Sequence, residues 1–147
     1  MGTIWPRGPR ARMLKALLDL PGGYIHTTPH FGQAMLSAGA YGSILKRTLF
    51  CPAPPGDRTW DSFRLYEGLE MGCLPIVEHG QGYYRRLLGE HPMIEVADWD
   101  EAVPVVRELL ANPTRAEERR QACAAWWQAT KTRLARDVAA LIRSRLA

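Results

Sequence analysis

The chain has 147 residues and a formal net charge of +4, and 46% of its residues are hydrophobic while 23% are charged. This length fits one domain with a core of its own, and the composition excludes a disordered or fibrous protein. The charge is modest and spread along the chain, which argues against nucleic acid as a partner.

The first forty residues predict a helix, a short strand and the start of a second helix. Apolar residues recur at helical spacing over 9–20, and Arg7, Arg10 and Arg12 crowd the beginning of this helix. A cation at a helix start opposes the helix dipole unless an anion lies nearby, and a solvated basic loop is the alternative interpretation. Residues 24–27 are a strand candidate, and 28–40 give no clear pattern. A helix beginning at Ser37 or Gly39 then carries Tyr41.

Two strands, with a loop and a helix between them, are predicted over 49–77. Residues 49–51 form a short apolar run that stops at Pro52, and three prolines with Gly56 keep the loop that follows out of regular structure. Asp61 or Ser62 can cap the next helix, which ends at Gly72. Residues 74–77 form the second strand, and 78–82 a short polar loop.

The helix after Ser62 has an apolar and a polar side, because successive residues turn by about 100°. Its predicted core residues are Leu65, Tyr66 and Leu69. Arg64, Glu67 and Gly68 lie on the other side. Arg64 stands in the first turn, where a diphosphate bound by the backbone N–H groups would balance its charge. Asp61 is the alternative partner for Arg64, and an exposed ion pair with Glu67 is another.

The last part of the chain predicts a helix over 83–88, a strand over 93–96, and a helix capped by Asp98 that ends at Ala111. Residues 114–147 follow as one or two long helices, without an interior Gly or Pro. Strands that alternate with helices predict parallel crossover units. The expected fold class is therefore α/β, a Rossmann-like open parallel sheet with helices on both faces. We expect one domain over 1–147, in which 113–147 form a helical extension.

The cysteines and the apolar runs restrict the class of protein further. Three widely spaced cysteines predict neither a disulfide framework nor a metal site. Cys51 and Cys73 are expected to be small core residues whose sulfurs lie at opposite edges of the sheet. No apolar run is long enough to span a bilayer, and the first ten residues lack the apolar middle of a signal peptide. We therefore expect no membrane segment and, by default, a cytoplasmic location.

Ligands of open parallel sheets bind beyond the carboxyl ends of the strands. In this chain the loops expected at that edge are 2–10, 52–60 and 78–82, and they hold basic and glycine-rich residues. The fingerprints of dinucleotide-binding proteins, P-loop proteins and serine hydrolases are missing from the sequence. Once these classes are excluded, the remaining interpretation is a Rossmann-like domain that binds phosphate. His79 and Gly80 belong to the third loop, where a merely solvated histidine is the alternative.

One segment carries a resemblance to a known family. Its residues are Tyr41, Phe50-Cys51-Pro52, Gly56, Asp61-Ser62-Phe63-Arg64-Leu65-Tyr66-Glu67 and Gly72-Cys73-Leu74-Pro75-Ile76-Val77. In order and spacing they resemble the most specific segment of the exostosin-like glycosyltransferases, over about a quarter of the chain. The resemblance implies the C-terminal, donor-binding domain of the two-domain GT-B fold, with a UDP-sugar as donor substrate and no other cofactor.

The resemblance also implies roles for particular residues. Arg64 would face the diphosphate, and Glu67 would accept hydrogen bonds from the ribose hydroxyls. The further donor-binding candidates are Ser62, Arg7, Arg10, His79 and Gly80. No catalytic residue is identified.

The acceptor, a glycan or another molecule, and the general base are expected on an N-terminal domain or a second subunit. The sequence then represents half of an enzyme, and its C-terminal helix could leave an apolar stripe exposed. A larger, anchored eukaryotic protein of this kind would work in the Golgi lumen. The alternative is a non-catalytic Rossmann-like binding or interaction module.

Overall fold

The computed structural model describes residues 8–28, 33–56 and 59–146. Its helices and strands, in chain order, are α1 (Pro9–Leu17), α2 (Ala38–Leu45), β1 (Phe50–Pro52), α3 (Phe63–Glu70), β2 (Leu74–Glu78), α4 (Tyr83–Leu88), β3 (Ile94–Val96), α5 (Trp99–Ala111) and α6 (Pro113–Leu146). A single turn of 3-10 helix, Gly80–Gly82, lies between β2 and α4.

The three strands form one parallel sheet in the order β1-β2-β3. Phe50 lies opposite Leu74, and Ile76 lies opposite Ile94. Every residue of the central strand β2 is buried, as in a strand whose two faces are both covered by other elements. The predicted α/β class with an open parallel sheet is therefore confirmed, and the arrangement is compatible with a Rossmann-like domain.

The core lies around β2 and the inner side of α3. Leu65 and Leu69 are buried against the sheet, and Tyr66 is partly buried, as the helical spacing predicted. Gly68 is buried as well. A Cβ at this position would lie 2.9 Å from the sulfur of Cys51, so the close packing leaves no room for a side chain. The polar side predicted for α3 is thus narrower than expected, since Gly68 packs against Cys51 of β1.

Two predicted elements differ near the start of the chain. The helix predicted over 9–20 ends at Leu17, and residues 24–27 form no strand. Tyr24 and Ile25 are 59% and 49% exposed, so the short apolar run that suggested a strand buries little of its surface. A strand needs a neighbour for its backbone hydrogen bonds, and a pattern of four residues does not supply one.

The expectation that Cys51 and Cys73 lie at opposite edges of the sheet is wrong. Both are free, buried thiols that pack with Leu45 in one small cluster. A hydrogen bond to Cys73 raises the pKa of Cys51. The error came from the register between the strands: Cys51 lies opposite Pro75, so Cys51 and Cys73 are only two positions apart along the strand direction. Both cysteines are core residues, as predicted.

Helix α6 is one continuous helix of 34 residues, attached by polar contacts along its first half. Arg119 donates to the carbonyl oxygens of Pro92 and Met93, each at 3.1 Å, and Arg120 donates to Gly72 O at 3.1 Å. Its second half carries an apolar stripe whose members are 47–83% exposed: Leu134, Val138, Leu141, Ile142 and Leu146. Across the described residues, no helix has the length and apolarity needed to cross a membrane.

Candidate functional site

The start of α3 follows the loop that leaves the carboxyl end of β1. Ser62 is the N-cap residue, one of the two predicted, but its side chain makes no capping hydrogen bond. The first turn contains no acidic residue, and its second residue is Arg64. The backbone N–H groups and the dipole at a helix start favour a negative charge. A first turn with a basic residue and no acidic residue of its own suits an anion.

Asp61, the alternative partner for Arg64, is occupied elsewhere. Its Oδ1 accepts from the backbone N–H of Ser62 at 3.0 Å, and its Oδ2 accepts from the hydroxyl of Tyr66 at 3.1 Å. In the described part of the chain, Arg64 forms no ion pair with Asp61 or with Glu67. Neither of the two alternatives weighed for Arg64 is therefore formed.

Glu67 lies one turn further along α3, beside Tyr41 of α2. The hydroxyl of Tyr41 donates to Glu67 Oε2 at 2.9 Å. Burial, and then this hydrogen bond, raise the pKa of Tyr41 to about 12, while the nearby charge of Arg64 acts in the opposite direction. Because a carboxylate offers about four acceptor positions, Glu67 keeps acceptor capacity for a ligand.

A largely apolar hollow of about 390 Å³, the α2–α3 groove, lies between these helices. Its lining residues are Ala38, Tyr41, Gly42, Leu45, Phe63, Tyr66, Glu67, Glu70 and Met71. Phe63 is 88% exposed at its rim. The carboxylate of Glu67 is therefore next to apolar surface that a flat or apolar group could cover.

A second hollow, of about 250 Å³, lies where the start of α1, the loop after β1 and the end of β2 meet; we name it the edge cleft. Its lining residues are Pro9, Arg12, Pro55, Gly56, Thr59, Trp60 and Glu78. The parallel topology predicted that these three segments lie at one edge of the sheet, and in the structure they meet there.

Glu78 is the carboxylate among the described lining residues of the edge cleft, and it is buried. It is the last residue of β2, and its side chain is 5% exposed. Its Oε1 lies 3.2 Å from Nη2 of Arg12, whose side chain is 57% exposed. Its Oε2 is buried, and none of the described residues offers it a hydrogen bond. The sequence predicted Glu78 only as a loop residue, although an acid directly after a buried apolar strand was a signal available there.

His79 and Gly80 follow Glu78, and their backbone shapes the turn after β2. The backbone N–H of His79 donates to Val96 O at 2.7 Å, and His79 is exposed. Gly80 is buried with a φ of 52°, and a Cβ at this position would lie 2.8 Å from Cδ2 of Trp60. Glycine is therefore the residue that lets the Trp60 indole pack against this turn and form a wall of the edge cleft.

The predicted site residues fall into two groups. Arg64 and Glu67 lie beside the α2–α3 groove, whereas His79 and Gly80 lie beside the edge cleft, and no described residue lines both hollows. Ser62 stands between the groups, two residues after Trp60. The remaining predicted residues are Arg10, which is partly buried in the first turn of α1, and Arg7, which lies outside the described residues.

Sequence reasoning missed the side chains that shape the edge cleft. Arg12 was noticed only as one of several arginines at a helix start, and Trp60 only as the end of a loop. Arg12 and Glu78 are separated by 66 positions in the chain, and no local pattern connects residues so far apart.

Over the ranges that the structure describes, no group of three His, Cys, Asp or Glu side chains could hold a metal ion. No protein-family model, no curated protein and no solved structure matches the chain. The resemblance to exostosin-like glycosyltransferases therefore stays a prediction that rests on the residues themselves.

Proposed function

We propose that the chain is the donor-binding domain of a glycosyltransferase and binds a UDP-sugar at the carboxyl edge of its sheet. The observation that carries the proposal is the start of α3. This start follows a parallel strand, lacks both an acidic first turn and a side-chain cap, and presents Arg64 outside any ion pair among the described residues. A diphosphate supplies the negative charge that this arrangement favours.

Each proposed contact follows from the chemistry of one side chain. The planar guanidinium of Arg64 can bind two phosphate oxygens at once and stabilise the charge that grows on the departing diphosphate. The hydroxyl of Ser62 can donate to the same phosphates. Glu67 accepts from the two ribose hydroxyls, while Tyr41 holds its carboxylate in place. The apolar floor of the α2–α3 groove is suited to the flat uracil base.

Transfer to an acceptor requires groups that this proposal does not assign to the chain. The acceptor site and the general base are proposed to belong to a second domain or subunit. The exposed apolar stripe on the second half of α6 supports such a partner, because large contiguous apolar surface is typical of a docking face. The chain alone is therefore expected to bind a donor weakly and to release no UDP from UDP-sugars above the uncatalysed rate.

Isothermal titration with UDP tests the proposal. The parent chain is expected to bind, Arg64→Ala to weaken binding at least tenfold, and Glu67→Ala to weaken it several-fold. The matched controls are Arg107→Ala and Glu118→Ala, two exposed positions on α5 and α6, and these should leave the Kd unchanged. Equal effects of the site and control variants would refute the assigned contacts.

An interaction module without chemistry is the second candidate. The observation that favours it is the amount of exposed apolar surface, both on α6 and at Phe63 on the rim of the groove. No heat with UDP or with any other nucleoside diphosphate at millimolar concentration would leave this candidate ahead.

A further inference from the structure

The carboxylate of Glu78 has a buried oxygen with no hydrogen-bond donor among the described residues. Glu78 is 4% exposed as a residue, and its Oε2 is the atom concerned, while Oε1 faces Arg12 at 3.2 Å. A buried charged acceptor without a hydrogen bond costs free energy. A ligand that donates a hydrogen bond to this oxygen would recover that cost. Glu78 is also a lining residue of the edge cleft, so a donor group held in this cleft lies next to its carboxylate.

The charge of the edge cleft selects the chemical class of the ligand. Among the residues that the structure describes, its lining contains one cation, Arg12, and one anion, Glu78, and is otherwise neutral. A neutral ligand with several hydroxyl groups satisfies both, because a hydroxyl donates to the carboxylate and accepts from the guanidinium. A carboxylate in the ligand would be repelled by the carboxylate of Glu78 at short range.

Trp60 gives the cleft one flat apolar wall. Its side chain packs against Gly80, and the residue is 42% exposed. Its carbonyl oxygen accepts from the hydroxyl of Tyr84 at 2.6 Å, which fixes the backbone there. An indole face covers the C–H side of a pyranose ring while leaving the ring hydroxyls to polar neighbours.

The size and position of the cleft fit one sugar ring. Its volume of about 250 Å³ is below the range of about 300–1,000 Å³ typical of pockets for drug-sized ligands. A whole nucleotide-sugar therefore does not fit, but one ring does. Trp60 is two residues from Ser62, so their Cα atoms are at most about 7 Å apart. The cleft thus adjoins the proposed diphosphate position.

We propose that the edge cleft binds the glycosyl ring of the donor, a neutral hexose or pentose. Glu78 and Arg12 bind its hydroxyl groups, and Trp60 packs against its apolar face. This inference rests on the proposed function, because it adds the sugar to a nucleotide bound at α3. Glu78 is a binding residue here, and no step of the transfer is assigned to it.

The test compares UDP with UDP-sugars by isothermal titration. The panel is UDP-glucose, UDP-galactose, UDP-N-acetylglucosamine, UDP-xylose and UDP-glucuronate. We expect at least one neutral sugar to bind tenfold or more tightly than UDP, and UDP-glucuronate to bind no tighter than UDP. Glu78→Gln should remove most of this gain while leaving the Kd for UDP unchanged. Trp60→Leu should also remove most of the gain without changing the Kd for UDP. Because Trp60 is partly exposed, this variant tests the cleft even if Glu78→Gln fails to fold.

Glu95→Gln is the matched control, because Glu95 is also a strand carboxylate paired with an arginine, here Arg85 at 2.8 Å, and its side chain is 9% exposed. It should keep the full gain. The inference is refuted if no neutral sugar adds affinity, or if both Glu78→Gln and Trp60→Leu retain the gain.

A second readout separates this inference from the proposed function. Free neutral monosaccharides at high millimolar concentration should shift the Trp60 indole N–H resonance in the parent chain and not in Glu78→Gln. If UDP fails to bind but this shift is seen, the nucleotide proposal falls and the sugar cleft stands. If UDP binds and neither the shift nor the affinity gain is seen, the sugar cleft falls and the nucleotide site stands.

Discussion

Replacing Gly80 with alanine tests how the wall of the edge cleft is built. Gly80 has a φ of 52°, and an added Cβ would lie 2.8 Å from Cδ2, 3.0 Å from Cε3 and 3.1 Å from Cγ of Trp60. Gly82 provides a matched control, since its φ is 75° and its added Cβ would meet only Nη1 of Arg86, at an ordinary 3.5 Å. The two substitutions share the backbone strain and differ in the contact with the indole.

The expected magnitudes follow from these two terms. A left-handed backbone costs a non-glycine residue about 1–2 kcal/mol, which both variants lose. Overpacking costs about 1–3 kcal/mol more, which applies only at Gly80. Because Trp60 is 42% exposed and can turn outward, the lower half of that range is expected. Gly80→Ala should therefore be about 1–2 kcal/mol less stable than Gly82→Ala.

Urea denaturation followed by far-UV circular dichroism measures this difference. At an m-value of about 2 kcal/mol/M, the midpoint of Gly80→Ala should lie about 0.5–1 M below that of Gly82→Ala. The indole N–H resonance of Trp60 should also move in the first variant and stay in the second. Equal midpoints together with an unmoved resonance would refute the reasoning, because they would mean that Trp60 does not pack on Gly80.

Three further measurements address the helices and the loop before β3. Gly68→Ala should destabilise the chain by about 1–2 kcal/mol in urea denaturation, because its Cβ would lie 2.9 Å from the sulfur of Cys51; a gain in stability would contradict this packing. Glu67→Gln should lower the pKa of Tyr41 from about 12 towards its ordinary value, because an anionic acceptor is removed; ultraviolet titration against Tyr41→Phe measures this, and an unchanged pKa would mean that burial alone sets it. Burial lowers the pKa of His91, so the unfolded chain binds this proton at a higher pH than the folded chain, and stability should fall as the pH drops through about 6.5. His91→Gln should flatten that part of the pH–stability curve, and two parallel curves would contradict the assignment.

The helices and the sheet class could be predicted because their signals are local. Asp98 is the predicted cap of α5, and its Oδ1 accepts from the N–H groups of Asp100 and Glu101 at 2.9 and 3.2 Å. A side chain that bonds two and three residues ahead leaves a recognisable pattern in the sequence. The inward positions of α3 followed from helical spacing in the same way.

The rest depended on contacts between distant parts of the chain. Residues 24–27 have the composition of a strand, but pairing decides whether a strand forms, and Tyr24 and Ile25 stay exposed. The two cysteines meet because Cys51 lies opposite Pro75, and the register between two strands has no local signal in the sequence. The pair formed by Arg12 and Glu78 spans 66 positions. Each residue alone looked like an ordinary surface charge, so the edge cleft had no local signature.

The two groups of site residues are compatible with one extended ligand, because the segment 59–62 connects them. Thr59 and Trp60 line the edge cleft, and Ser62 begins α3. Arg12 and Arg64, which both lie near this edge, are in different electrostatic situations. Arg12 is paired with the buried carboxylate of Glu78, whereas Arg64 has no ion-pair partner in the part of the chain that the structure describes. A ligand with an anionic middle and a neutral, hydroxyl-rich end matches this order of charges, and a nucleotide-sugar has that composition.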